Sequence, residues 1–101
     1  METPIPTAEA RAMASKEMPL FVEKNKDKEP IKLNYPDIHK KDYENGGKFE
    51  ACGLVFYILP YKRVIEPSGK VCKDNYVLFN EGEMVVFNSR TLLNKLIEKR
   101  R

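Results

Sequence analysis

The stretch 76–87, Tyr-Val-Leu-Phe-Asn-Glu-Gly-Glu-Met-Val-Val-Phe, constrains the fold more than any other part of the chain. Two runs of aromatic and β-branched residues flank a short polar loop containing Gly82, the pattern of a β-hairpin. Side chains alternate along a strand, so Tyr76 and Leu78 leave one face and Val77 and Phe79 the other. With Glu81 and Gly82 as a two-residue turn, Asn80 faces Glu83, Phe79 faces Met84 and Val77 faces Val86. Neither face is then polar. A hairpin with one wet side alternates apolar and polar residues, so this one requires cover on both sides.

That cover has to come from 101 residues, enough for one domain. Thr7 reads as the N-cap of a helix over 8–17, and Pro19 disfavours helical geometry at Met18 and ends it. The apolar stripe of this helix, Ala10, Met13 and Ala14, is thin: it allows close approach but buries little. Residues 1–19 therefore read as an N-terminal extension with a short helix, and residues 20–101 as a single small domain. Leu20, Phe21 and Val22 suit a short edge strand. Residues 23–29 are a charged loop, and Ile31, Leu33 and Tyr35 alternate as a strand between Pro30 and Pro36. A long polar loop at about 36–48 ends in Gly46 and Gly47.

Regular structure resumes at Phe49. Residues 53–59 form a central strand, and Pro60 divides it from 61–65, which is either a second strand or the same one bent at a bulge. Glu66-Pro67-Ser68-Gly69 suits a type I turn, residues 70–73 return, and the hairpin follows. Asn88 or Ser89 caps a helix over 90–100 with Leu92, Leu93, Leu96 and Ile97 on its apolar face. The fold class expected is α+β: an antiparallel β-meander of four to five strands over 49–87, with a short N-terminal helix and an amphipathic C-terminal helix packed on the sheet. The C-terminal helix covers one face of the hairpin. The N-terminal helix is a poor cover for the other, which falls to the segment 20–36 or to another chain.

The net charge of +3 is local rather than dispersed, because the last twelve residues carry five basic groups and one acid. No apolar run approaches the ~20 residues that a membrane span needs. The N-terminal segment lacks the basic and apolar regions of a signal peptide. A cytoplasmic, intracellular protein is expected, with two reduced cysteines, Cys52 and Cys72.

The residues of catalysis are sparse. His39 lies among charged neighbours with no orienting partner in view, and nothing near Cys52 lowers the pKa of a thiol. Cys52, Cys72 and His39 fall one short of the four ligands of a structural zinc site and include no Cys-x-x-Cys pair. Pro67-Ser68-Gly69-Lys70 lacks the earlier glycine and following hydroxyl of a phosphate-binding loop. Glu81 and Glu83 suit a solvated loop. The expectation is no enzyme, no metal and no cofactor.

What remains is an interaction or assembly protein, acting on a protein partner or on itself as a homo-oligomer through an apolar sheet face. Its expected interface residues are Ala10, Met13 and Ala14 on the helix with Val77, Phe79, Met84 and Val86 on the hairpin. Compact chains of this kind, with Lys, Asn and Tyr but no catalytic motif, resemble small accessory or structural proteins of phages and other mobile elements, which implies a host cytoplasm or a virion. The alternative is a single-stranded nucleic-acid binder on strands 53–73, with Tyr57 and Tyr61 stacking on bases and Lys62, Arg63, Lys70 and Lys73 facing phosphates.

Overall fold

The computed structural model describes residues 5–79 and 84–100, and within them the side chains of 61–63, 72 and 73 lie outside the description. The fold is α+β. In chain order come β1 (Ile5–Pro6), α1 (Thr7–Asn25), β2 (Ile31–Lys32), α2 (Lys40–Tyr43), β3 (Gly47–Ala51), β4 (Leu54–Ile65), β5 (Val71–Phe79), β6 (Met84–Phe87) and α3 (Arg90–Arg100). The strands form one sheet in the order β2-β3-β4-β5-β6, with β1 beside the far half of β4.

From β3 to β6 each strand pairs antiparallel with the next, as the meander requires. The sheet as a whole is mixed, because β1 joins β4 and β2 joins β3 in parallel. Parallel neighbours need a long connection between them. The helix α1 and the segment 33–46 provide such connections, so the expected antiparallel meander stands within a sheet that is mixed as a whole. β4 runs through Pro60 as one strand, and its ladder with β5 slips between Tyr61 and Val64. Proline lacks the N–H of a ladder bond, so it is tolerated where pairing is irregular.

Further expectations change. The helix α1 does not stop at 17 but continues through Pro19 to Asn25, so Leu20, Phe21 and Val22 are helical rather than an edge strand. The extra turns bring Met18, Phe21 and Val22 down onto the sheet beside Ala14 and Tyr76, and that burial outweighs the penalty at proline. At the other end Pro6, held extended by pairing with Ile65, takes the N-cap place, and Thr7 is already inside the helix with no side chain capping it. The C-terminal end of the helix is met by Lys48, whose Nζ donates to the Lys26 carbonyl at 2.8 Å. The segment 37–48 is not wholly loop: α2 interrupts it, with the His39 N–H donating to Asp42 Oδ2 at 3.0 Å, and β3 begins at Gly47.

The hairpin register differs from a two-residue turn. Leu78 lies opposite Met84, Val77 opposite Val85 and Tyr76 opposite Val86, one step away from the expected pairing of Phe79 with Met84. The turn residues 80–83 themselves fall outside the described part. One step reassigns every cross-strand partner. Val77 and Phe79 share a face with Val85 and Phe87, while Tyr76 and Leu78 share the other with Met84 and Val86.

Each face has its own core. On the first, Phe49, Phe56, Ile58, Val77, Phe79 and Phe87 pack beneath Leu93 and Ile97 of α3 and beneath Ile38 and Tyr43 of the β2–β3 connection. Phe56 and Phe79 approach at 5.2 Å between ring centroids, Tyr43 meets Phe87 edge-on at 5.6 Å, and the Arg100 guanidinium lies 4.3 Å over the Phe79 ring. Ser89 Oγ accepts from the Leu92 N–H at the start of α3, as expected of a cap. Leu92 is 42 % exposed rather than buried with them. The second face is covered by α1, which packs chiefly over β4 with its flanks toward β1 and β3.

Candidate protein-interaction surface

Because α1 sits over β4, the neighbouring strands β5 and β6 are covered only in part on that face. The side of α1 toward β6 carries Arg11, Ser15, Met18 and Val22, spaced to lie along one line of a helix. Facing them on the sheet are Tyr76 and Leu78 of β5 with Met84 and Val86 of β6. Between these two walls runs a trough made of three adjoining cavities. The first, about 480 Å³, is bounded by Ser15, Met18, Pro19, Val22, Leu78 and Met84 and is almost wholly apolar. A second of about 230 Å³ shares Met84 with it and adds Arg11, Tyr76, Val85 and Val86. The third, about 400 Å³, reaches the polar end at Thr7, Glu66, Asp74 and Asn88.

One border of the trough carries an apolar group that the chain leaves open to water. Val86 on β6 is 45 % exposed and lines the trough, whereas Leu20, 73 % exposed, lies on the opposite side of α1 from the Arg11–Val22 line. Single exposed apolar residues are ordinary; one that borders an apolar cavity extends a contact surface. Asp74 at the polar end is buried and engaged, and Tyr76 forms the trough floor as part of the packed cluster under α1.

The residues expected at the interface divide between core and surface. Ala10 and Ala14 are fully buried between α1 and the sheet, and Val77 and Phe79 are buried under α3, so none of the four is free to meet a partner. Met13 is half-buried on α1. Met84 and Val86 do line the trough. Arg11, Ser15, Met18, Pro19, Val22, Tyr76 and Leu78 line it as well and were not among the expected residues, Met18, Pro19 and Val22 because the helix was ended too early.

The aromatic and basic set on strands 53–73 is not brought together as a platform among the described side chains. Tyr57 is half-buried, packed with the cluster under α1, and Lys48 Nζ stands 6.0 Å from its ring centroid. Lys70 is exposed beyond the tight turn that Gly69 closes by donating to the Glu66 carbonyl at 2.8 Å. Tyr61, Lys62, Arg63 and Lys73 lie on β4 and β5, but their side chains are outside the description.

His39 is exposed at the start of α2, and Cys52 is an exposed free thiol in the turn between β3 and β4. Cys72 pairs with Val64, ten residues along β4 from Leu54, so the two cysteines are separated by roughly 30 Å of strand. Among the described residues no group of three His, Cys, Asp or Glu side chains is placed to hold a metal, and no helix is long and apolar enough to cross a membrane. Comparison with protein-family models, with curated proteins and with solved structures gives no match.

Proposed function

We propose that the chain is a small non-catalytic interaction protein, which docks within a larger assembly through the trough between α1 and β6. The observation that carries this reading is the incomplete cover of the β5–β6 face. An apolar cavity of about 480 Å³ opens between Pro19 and Met84, beside the strand over which α1 packs. Burying such a surface returns roughly 25 cal/mol per Å² removed from water. Val86, 45 % exposed at the edge of the trough, adds to that area.

The test is the mass of the complex formed by the purified chain and by the tagged chain recovered from its native source. A stoichiometric assembly is expected, with the chain itself or with a second protein. Ser15→Lys is expected to weaken it while leaving the unfolding midpoint unchanged, since Ser15 lines the cavity and is exposed. A chain that is monomeric alone and acquires no stoichiometric partner removes the proposal.

A further inference from the structure

The two outer edges of the sheet are built differently. At one, β2 is only two residues long, follows Pro30 and carries Lys32, all devices that discourage another strand from adding. At the other, β6 reads Met-Val-Val-Phe with neither charge nor proline, and among the described residues no strand pairs with its outer side. Its outward backbone N–H and C=O groups form a template for an extended strand, and its side chains favour an apolar one.

We propose that the occupant is the β6 of a second copy, added antiparallel with Val86 opposite Val86 across a two-fold axis. This deepens the interaction reading above and rests on it. Placing a residue opposite itself keeps the faces of the sheet in step, so the trough side of one copy continues into the trough side of the other. The same register puts Val85 against Phe87 and Met84 against Asn88. It uses the side chain of β6 with the most surface to give: Val86 is 45 % exposed, whereas Phe87 is 1 % exposed and already spent on the core. A slip of one residue would turn one copy over and set Val86 beside Val85 on the α3 side, leaving the two open troughs on opposite faces. Paired as proposed, the two six-stranded sheets become one, and the apolar floors at Leu78 and Met84 lie side by side.

Sedimentation of the parent and of Val86→Lys, under reducing conditions at micromolar to submillimolar concentration, reads the association directly. The parent is expected to be a dimer. Val86→Lys sets two like charges opposite each other and is expected to be a monomer, with a dissociation constant raised tenfold or more. A second measurement is independent of that variant's folding. Val86→Cys is expected to cross-link to itself on mild oxidation far faster than Leu20→Cys, both on a background in which Cys52 is replaced by Ser. A monomeric parent, a dimer that survives Val86→Lys, or equal cross-linking of the two cysteines overturns the proposal. A monomeric parent that binds a different protein stoichiometrically removes the β6 seam alone; a monomer with no partner removes the interaction reading with it.

Discussion

At Cys52 the backbone adopts φ 54°, and at Gly53 φ 78°, so both central residues of the turn between Ala51 and Leu54 are left-handed. A two-residue turn with positive φ at both positions matches the twist of the strands it joins, and it favours Asn-Gly. Glycine adopts that geometry freely, and asparagine tolerates it because its short amide hydrogen-bonds the local backbone, a compensation that cysteine lacks. Cys52→Asn is therefore expected to raise stability by about 1 kcal/mol, read as a shift in the urea midpoint. Tyr43 makes the opposite kind of statement. Burial pushes its hydroxyl above the ordinary 10.0, with the Arg90 charge opposing to a lesser degree. The unfolded chain thus gives up this proton first as pH rises. The stability linked to Tyr43 is intact below pH 10.0 and is lost as pH climbs from there through the raised folded-state value. Unfolding measured from about pH 9 to about pH 11 is expected to show a decline that Tyr43→Phe flattens.

Elements differ in how much they owe to their own residues. The helix α3 was legible because Ser89, the Leu93 and Ile97 spacing and the basic end all agree, and the meander was legible in the β-branched runs around the Glu66–Gly69 turn. The helix α1 was not, because local and tertiary terms conflict at Pro19. An interior proline removes one helical hydrogen bond and crowds the preceding turn. Phe21 and Val22 recover that cost only through contact with the sheet, which no local pattern announces. The apolar end of the trough inherits the same illegibility, since half the residues that bound it, Met18, Pro19 and Val22, lie on α1 beyond the expected stop. The hairpin register failed for another reason: Gly82 marks a turn without fixing its length. Pro19→Ala is expected to stabilise the protein by as much as about 3 kcal/mol, measured by denaturant unfolding. A helix that truly ended at 17 would show no such gain.

On the scale of the whole molecule, the two faces of one sheet are closed by opposite ends of the chain. The α3 face depends on Leu93 and Ile97, both fully buried, and removing such side chains costs roughly 2–5 kcal/mol each, most of what a small domain has. A chain ended after Ser89 is accordingly expected to lose its cooperative thermal transition, as followed by circular dichroism. The other end carries a consequence for biosynthesis. Ile5 and Pro6 pair with Val64 and Ile65, so the strand that leads into α1 leaves the ribosome about sixty residues ahead of its partner. At roughly 5–20 residues per second that is a delay of some 3–12 seconds. During it Met18, Phe21 and Val22 have no sheet to cover them. The nascent chain is held open for that interval, and any chaperone that reads short apolar helices meets it there first.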